Sequence, residues 1–169
     1  MFGDLRDLYQ EVILDHGKSP RNFRPLENPS CLAHGNNPLC GDMLVVYLAL
    51  DADGRIEDAS FQGEGCAISV ASASMMTEIL KGKSRDQAKH LFEAFHDMCT
   101  KDDFDLSKLA DYDEDAVERL VMLSGVKEFP IRVKCATLAW HTMQAALSGQ
   151  QDVSTEQEPR PWTTHANPH

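Results

Sequence analysis

Three cysteines stand where a thiol could do chemistry. Cys40 and Cys66 lie in glycine-containing turns, Asn37-Pro38-Leu39-Cys40-Gly41-Asp42 and Gly63-Glu64-Gly65-Cys66, and Cys135 ends the basic run Arg132-Val133-Lys134-Cys135. Glycine neighbours leave a sulfur open to a metal or to another sulfur, and nearby cations lower a thiol's pKa toward the nucleophilic thiolate. Asp42, just beyond Cys40, adds a carboxylate. Three sulfurs and one oxygen can close a tetrahedron around zinc, with metal-ligand distances of roughly 2.0–2.3 Å. With every donor ionised, a divalent ion leaves this set net negative, and Arg132 and Lys134 are the cations placed to offset that charge.

Each of these residues also has a plainer reading. A lone cysteine is usually a small buried hydrophobe, and that describes Cys31 and Cys99, which have no glycine turn or second donor nearby in sequence. Packing gives no reason for a cysteine after Gly65 or between Leu39 and Gly41. Asp42 alone would be a turn residue bonding its own backbone; beside Cys40 it becomes a fourth donor. Arg132 and Lys134 open a helix, where cations oppose the macrodipole, so a solvated basic surface does not account for them well. His90 and His96 fall on different helical faces and His165 and His169 lie in a polar C-terminal segment, so these histidines read as surface residues.

The elements that must position these side chains can be read from periodicity and turn chemistry. Leu5, Leu8, Tyr9, Val12 and Ile13 mark an amphipathic N-terminal helix that stops at Gly17 before Pro20. Residues 21–41 are rich in Pro, Asn and Gly and are expected to be loop, with a short first strand over Cys31 to His34. Met43 to Leu50, the turn Asp51-Ala52-Asp53-Gly54 and Arg55 to Gln62 predict a β-hairpin. After Gly65 an Ala- and Ser-rich helix is expected to allow close approach of another backbone. Ser84 caps a following helix through about Met98. The acidic stretch Asp97 to Glu118 is expected to be a solvated loop with short helical pieces. Pro130 opens a final helix whose apolar stripe is Val133, Ala136, Trp140, Met143 and Leu147, with Cys135 turned away from its middle.

Bulk properties narrow the function. At 169 residues the chain can bury a core without disulfide staples. A single domain over residues 1–149 is expected, with 150–169 a disordered tail because it lacks apolar periodicity. A formal net charge of −11 argues against nucleic acid, whose affinity depends on Lys and Arg neutralising phosphates. No apolar run approaches the ~20 residues that span a bilayer, and no signal-like segment opens the chain, so no membrane partner and a cytoplasmic location are expected. An odd number of cysteines, five, suits metal-binding or reactive thiols better than a disulfide framework.

Taken together these segments resemble the SufU branch of the NifU/IscU-type iron-sulfur cluster assembly family. The matching residues are Leu8-Tyr9, Ile13-Leu14-Asp15-His16, Pro20-Arg21-Asn22, the three cysteine motifs, Ala71-Ser72-Ala73-Ser74-Met75-Met76 and Phe129-Pro130-Ile131-Arg132-Val133-Lys134-Cys135-Ala136-Thr137-Leu138-Ala139-Trp140. Lys134 stands where the IscU type has histidine, the Cys66 to Cys135 separation is longer than in that branch, and both features are similar to SufU. The segment from Phe129 to Lys134 departs from the IscU-type LPPVK-like sequence, so that branch's dedicated Hsp70 partner is not expected. The resemblance implies an α+β fold, a small antiparallel sheet with helices packed on one side. It implies zinc on Cys40, Asp42, Cys66 and Cys135, and a role as sulfur acceptor. A SufS-type cysteine desulfurase would deliver persulfide sulfur onto Cys40, a desulfurase histidine taking that thiolate's place on zinc. Arg132 and Lys134 would give electrostatic support, and downstream Suf assembly components would receive the sulfur. Whether this sulfurtransferase-type role makes the chain an enzyme in its own right stays open. Cys40 also sits in the turn most able to move, whereas Cys66 and Cys135 are tied to helices. The alternative is a scaffold holding a [2Fe-2S] cluster on the same residues, since thiolates serve iron-sulfur ligation equally well.

Overall fold

This computed structural model describes residues 11–101 and 103–154. A helix, α1, is described over residues 11–18; the expected apolar face N-terminal to it lies outside the described residues. Three strands follow: β1 (Cys31–Asn37), β2 (Asp42–Leu50) and β3 (Ile56–Glu64). Both β1–β2 and β2–β3 pair antiparallel. Then come α2 (Ala67–Leu80), α3 (Arg85–Thr100), α4 (Glu114–Leu123), α5 (Pro130–Leu147) and a last short strand, β4 (Asp152–Ser154). The sheet order is β3-β2-β1-β4. The chain is one α+β domain, a four-stranded sheet with helices packed on it. Among the described residues no helix is long and apolar enough to cross a membrane.

Alternation in β2 sets the two sides of the sheet. Leu44, Val46 and Leu48 are buried under the helices, while Met43 on the opposite side is 62% exposed. α5 lies on β1 and β2, and α2 packs on β3 and on α5. The small residues of α2 permit this approach: Trp140 Nε1–H donates to Ser72 Oγ at 3.1 Å, and Ser72 Oγ–H donates to the Ala136 carbonyl. Because α5 is enclosed by sheet and helices, every residue from Cys135 to Trp140 is buried. The single apolar stripe read from the sequence is therefore too narrow, and Cys135 faces the interior, not the surface.

Local signals account for most boundaries. Ser84 and Gln87 form a reciprocal capping box at the start of α3, satisfying two otherwise orphaned donors. Pro130 occupies the first turn of α5, where its missing N–H costs nothing.

Four expectations need correction. β1 runs to Asn37, beyond His34, because antiparallel pairing with β2 continues to the Asn37–Asp42 pair. The acidic stretch contains more helix than expected: Asp113 accepts from Ala116 N–H to cap α4, which buries Leu120 and Leu123. The sheet is mixed, since β4 pairs parallel to β1. Asp152–Ser154 therefore belongs to the sheet and not to a disordered tail; residues 155–169 lie outside the described residues.

His34 N–H also donates to the Gln151 carbonyl at 2.7 Å. Net contributions of roughly 0.5–1.5 kcal/mol per hydrogen bond translate into about 2–4 °C per kcal/mol for a chain of this size. Truncation after Gly149 should therefore lower the melting temperature by about 2–6 °C relative to truncation after Ser154. Equal melting temperatures would show that β4 contributes no stability.

Candidate metal centre

Asn37 closes β1 and Asp42 opens β2 as partners across the ladder, so residues 38–41 form a tight turn between them. Within it Cys40 N–H donates to the Asn37 carbonyl at 3.2 Å, and Gly41 has φ +74°, a left-handed conformation that favours glycine. Leu39 is 58% exposed and Cys40 half-buried.

Asp42 is fully buried. Its Oδ1 accepts from the backbone N–H of Cys66 at 2.9 Å and its Oδ2 from Asn37 Nδ2 at 3.0 Å. Gly65 makes room for this contact, because a Cβ there would lie 2.7 Å from Asp42 Oδ1. Cys66 is the N-cap of α2, its sulfur accepting from Ser69 N–H at 3.4 Å. Its position at the positive end of the helix favours thiolate. Cys135, in the second turn of α5, is buried and brings its sulfur within 3.3 Å of Cys40 Sγ and 3.6 Å of Asn37 Nδ2.

Donor atoms of Cys40, Asp42 and Cys135 all lie within 4.8 Å of one another. Cys66 falls outside that mutual radius, and the group that most affects its ionisation is the Cys135 thiol. Interaction with Cys135 holds the Cys66 thiol down to about 6 against the opposing effect of burial, with Ser69 N–H assisting. The same interaction, with burial and the bond to Cys40, pushes Cys135 up. The Arg132 guanidinium is exposed and lies against these sulfurs; its hydrogen bond with Cys135 and the charges of Cys66, Cys135 and Cys40 hold it more firmly protonated. Lys134 is half-buried, one residue before Cys135.

The fold therefore gathers Cys40, Asp42, Cys66, Cys135 and Arg132 from the β1–β2 turn, β2, the α2 cap and α5. Cys31 in β1 and Cys99 in α3 are not among the clustered donors. Burial pushes both up, Cys99 to about 12, as for packing thiols. Asn37 is the residue that sequence reasoning passed over. Its only signal was an amide at the end of a strand, five positions before an acidic residue. Soft sulfur donors with one carboxylate fit zinc or iron, and a charged donor set buried this deeply fits occupancy by a cation.

A cleft of about 510 Å³ opens beside Cys40, lined by Ile68, Val126, Phe129, Ile131 and Arg132. Phe129 is 61% and Ile131 58% exposed. A groove of about 560 Å³ on the other side of the sheet, between Met43 and β4, includes none of the three clustered thiols.

Sequence comparison places this site in a known family. Residues 8–136 match the NifU-like N-terminal domain, and the chain belongs to the family that this domain defines. It is 41% identical over 148 residues to the zinc-dependent sulfurtransferase SufU of Bacillus subtilis, covering 88% of this chain and 95% of that protein. It is 38% identical over 143 residues to the iron-sulfur cluster assembly scaffold protein IscU of Streptococcus pyogenes, covering 85% and 84%. Among solved structures, the SUF-system iron-sulfur cluster assembly scaffold candidate from Fervidobacterium islandicum superimposes with a TM-score of 0.71 at 33% identity, covering 81% of this chain and 94% of that one.

The lowered Cys66 pKa has a measurable consequence in metal-free protein. A thiol ionising more easily when folded adds stability that is complete above the unfolded thiol pKa and is lost as pH falls through the folded one. Stability of the metal-free protein should therefore rise with pH between about 6 and 9, and Cys66→Ser should flatten that rise. Site-resolved alkylation of metal-free protein should show Cys66 reacting with a midpoint near 6. A midpoint near the ordinary thiol value would refute the Cys135–Cys66 arrangement.

Proposed function

We propose that this protein is a zinc-dependent sulfur acceptor, taking sulfane sulfur from a SufS-type cysteine desulfurase onto Cys40 and relaying it to downstream Suf components for iron-sulfur cluster assembly. The observation that carries this reading is the difference between Cys40 and the other donors. Asp42 and Cys135 are buried and Cys66 is fixed as a helix cap, whereas Cys40 sits on a turn beside an open apolar cleft. The zinc ligands would be Cys40, Asp42, Cys66 and Cys135. Zinc bound there supplies a positive charge that keeps thiols ionised without exchanging electrons.

In transfer, the Cys40 thiolate attacks the outer sulfur of the desulfurase persulfide. A new S–S bond forms on Cys40, the donor S–S bond breaks, and the donor cysteine leaves as thiolate, with no net oxidation. The exposed Phe129 and Ile131 offer the donor an apolar footing next to Cys40. Arg132 and Lys134 offset the negative charge of the remaining donors, so Arg132→Ala should slow transfer more than it weakens zinc binding. The relatives carry names of both kinds, sulfurtransferase and scaffold, and the same donors suit a cluster. Anaerobically purified protein should be colourless with one zinc per chain; a coloured cluster on these residues would favour the scaffold role.

Mixing the protein with a cysteine desulfurase and cysteine, then trapping and mapping persulfides by mass spectrometry, should place the label chiefly on Cys40. Label on Cys66 or Cys135, with Cys40→Ser still accepting sulfur, would show that another thiol is the acceptor. Zinc should be lost from the Cys66→Ser, Cys135→Ser double variant. Asp42→Ala should weaken zinc binding without abolishing it, because a carboxylate contributes less than thiolate to a site with three sulfurs. Loss as complete as in Cys66→Ser would contradict that ranking.

A further inference from the structure

Asn37 is fully buried at the end of β1, and its one amide nitrogen reaches two of the four donors, Asp42 Oδ2 at 3.0 Å and Cys135 Sγ at 3.6 Å. A carboxylate only accepts hydrogen bonds, so the amide must present its NH₂ there, and that group has two protons for the two acceptors. These acceptors belong to elements far apart in sequence, β2 and α5, which Asn37 bridges from a third. Asp42 Oδ1 is already taken by Cys66 N–H, so the Asn37 bond fixes the carboxylate's remaining rotation. Pro38 adds a constraint from the backbone, because a residue before proline is held extended.

We infer that Asn37 is a positioning residue of the metal centre, holding Asp42 and Cys135 in their binding arrangement through both protons of its amide. This rests on the metal-centre reading above. A partner that orients a metal ligand by hydrogen bonding is typically worth about 10–100-fold in metal affinity, and Asn37 serves two ligands at once.

The test compares wild type with Asn37→Ala and with Asn37→Leu, which keeps the branched shape and removes the donor. Zinc affinity is measured by competition with a chromophoric chelator, and ligand geometry from the visible spectrum of the cobalt-substituted protein. Each variant should lose about 10–100-fold in zinc affinity and show an altered cobalt spectrum. The loss should shrink when Asp42→Ala is already present, since residues acting through one another are not additive. If either variant is unfolded without metal, affinity is read from the zinc dependence of its melting temperature. Affinities within about twofold of wild type, or an equal loss with and without Asp42, would overturn the inference. Failure of the wild type to bind zinc or cobalt would instead overturn the metal-centre reading beneath it.

Discussion

A buried carboxylate anchors this end of the molecule. Asp42 has no solvent to stabilise its charge, and burying an ion without compensation is costly enough that such groups are normally found paired or on metals. Its compensation comes from elsewhere in the chain: the Asn37 amide on β1 and the Cys66 backbone N–H at the start of α2. Satisfying one carboxylate therefore fixes where β1 ends, where β2 begins and how α2 enters. Gly65 follows from the same requirement, because only a residue without Cβ lets the chain pass so close to Asp42.

Cys135 enters from the other side of the domain. Its helix lies against the sheet and the other helices, and packing of Trp140 and Ala136 against Ser72 sets the spacing between α5 and α2. Those contacts also set how Cys135 on α5 stands relative to Cys66 at the cap of α2. Core packing and donor geometry are thus one construction. A substitution that shifts α5 on α2 would disturb the donor set before exposing any of the thiols.

The hairpin, the capped start of α3, the proline opening of α5 and the three cysteine motifs were legible because each rests on a local signal. What escaped depended on contacts between distant segments. The second half of β1, Gly35-Asn36-Asn37, has poor strand propensity and is extended because β2 lies beside it. β4 has three residues in a polar segment and exists through its pairing with β1. The charges of α4 hid a helix whose Leu120 and Leu123 meet the core. Among the donors, the four residues were visible, but the role of Asn37 is a product of burial. No spacing in the sequence encodes it.

The turn that carries Cys40 has a mechanical consequence. Its ends are locked together as the Asn37–Asp42 pair, leaving four residues to move. At roughly 3.5 Å per extended residue, such a loop can carry its tip only about 7 Å from its base. It is a short tether rather than a swinging arm. If Cys40 carries the sulfur, that atom would travel with the whole body of the protein, and any donor or recipient would have to present its reactive group inside that small radius. Shape agreement between two rigid surfaces, more than chain flexibility, would then govern which proteins can exchange cargo at this position.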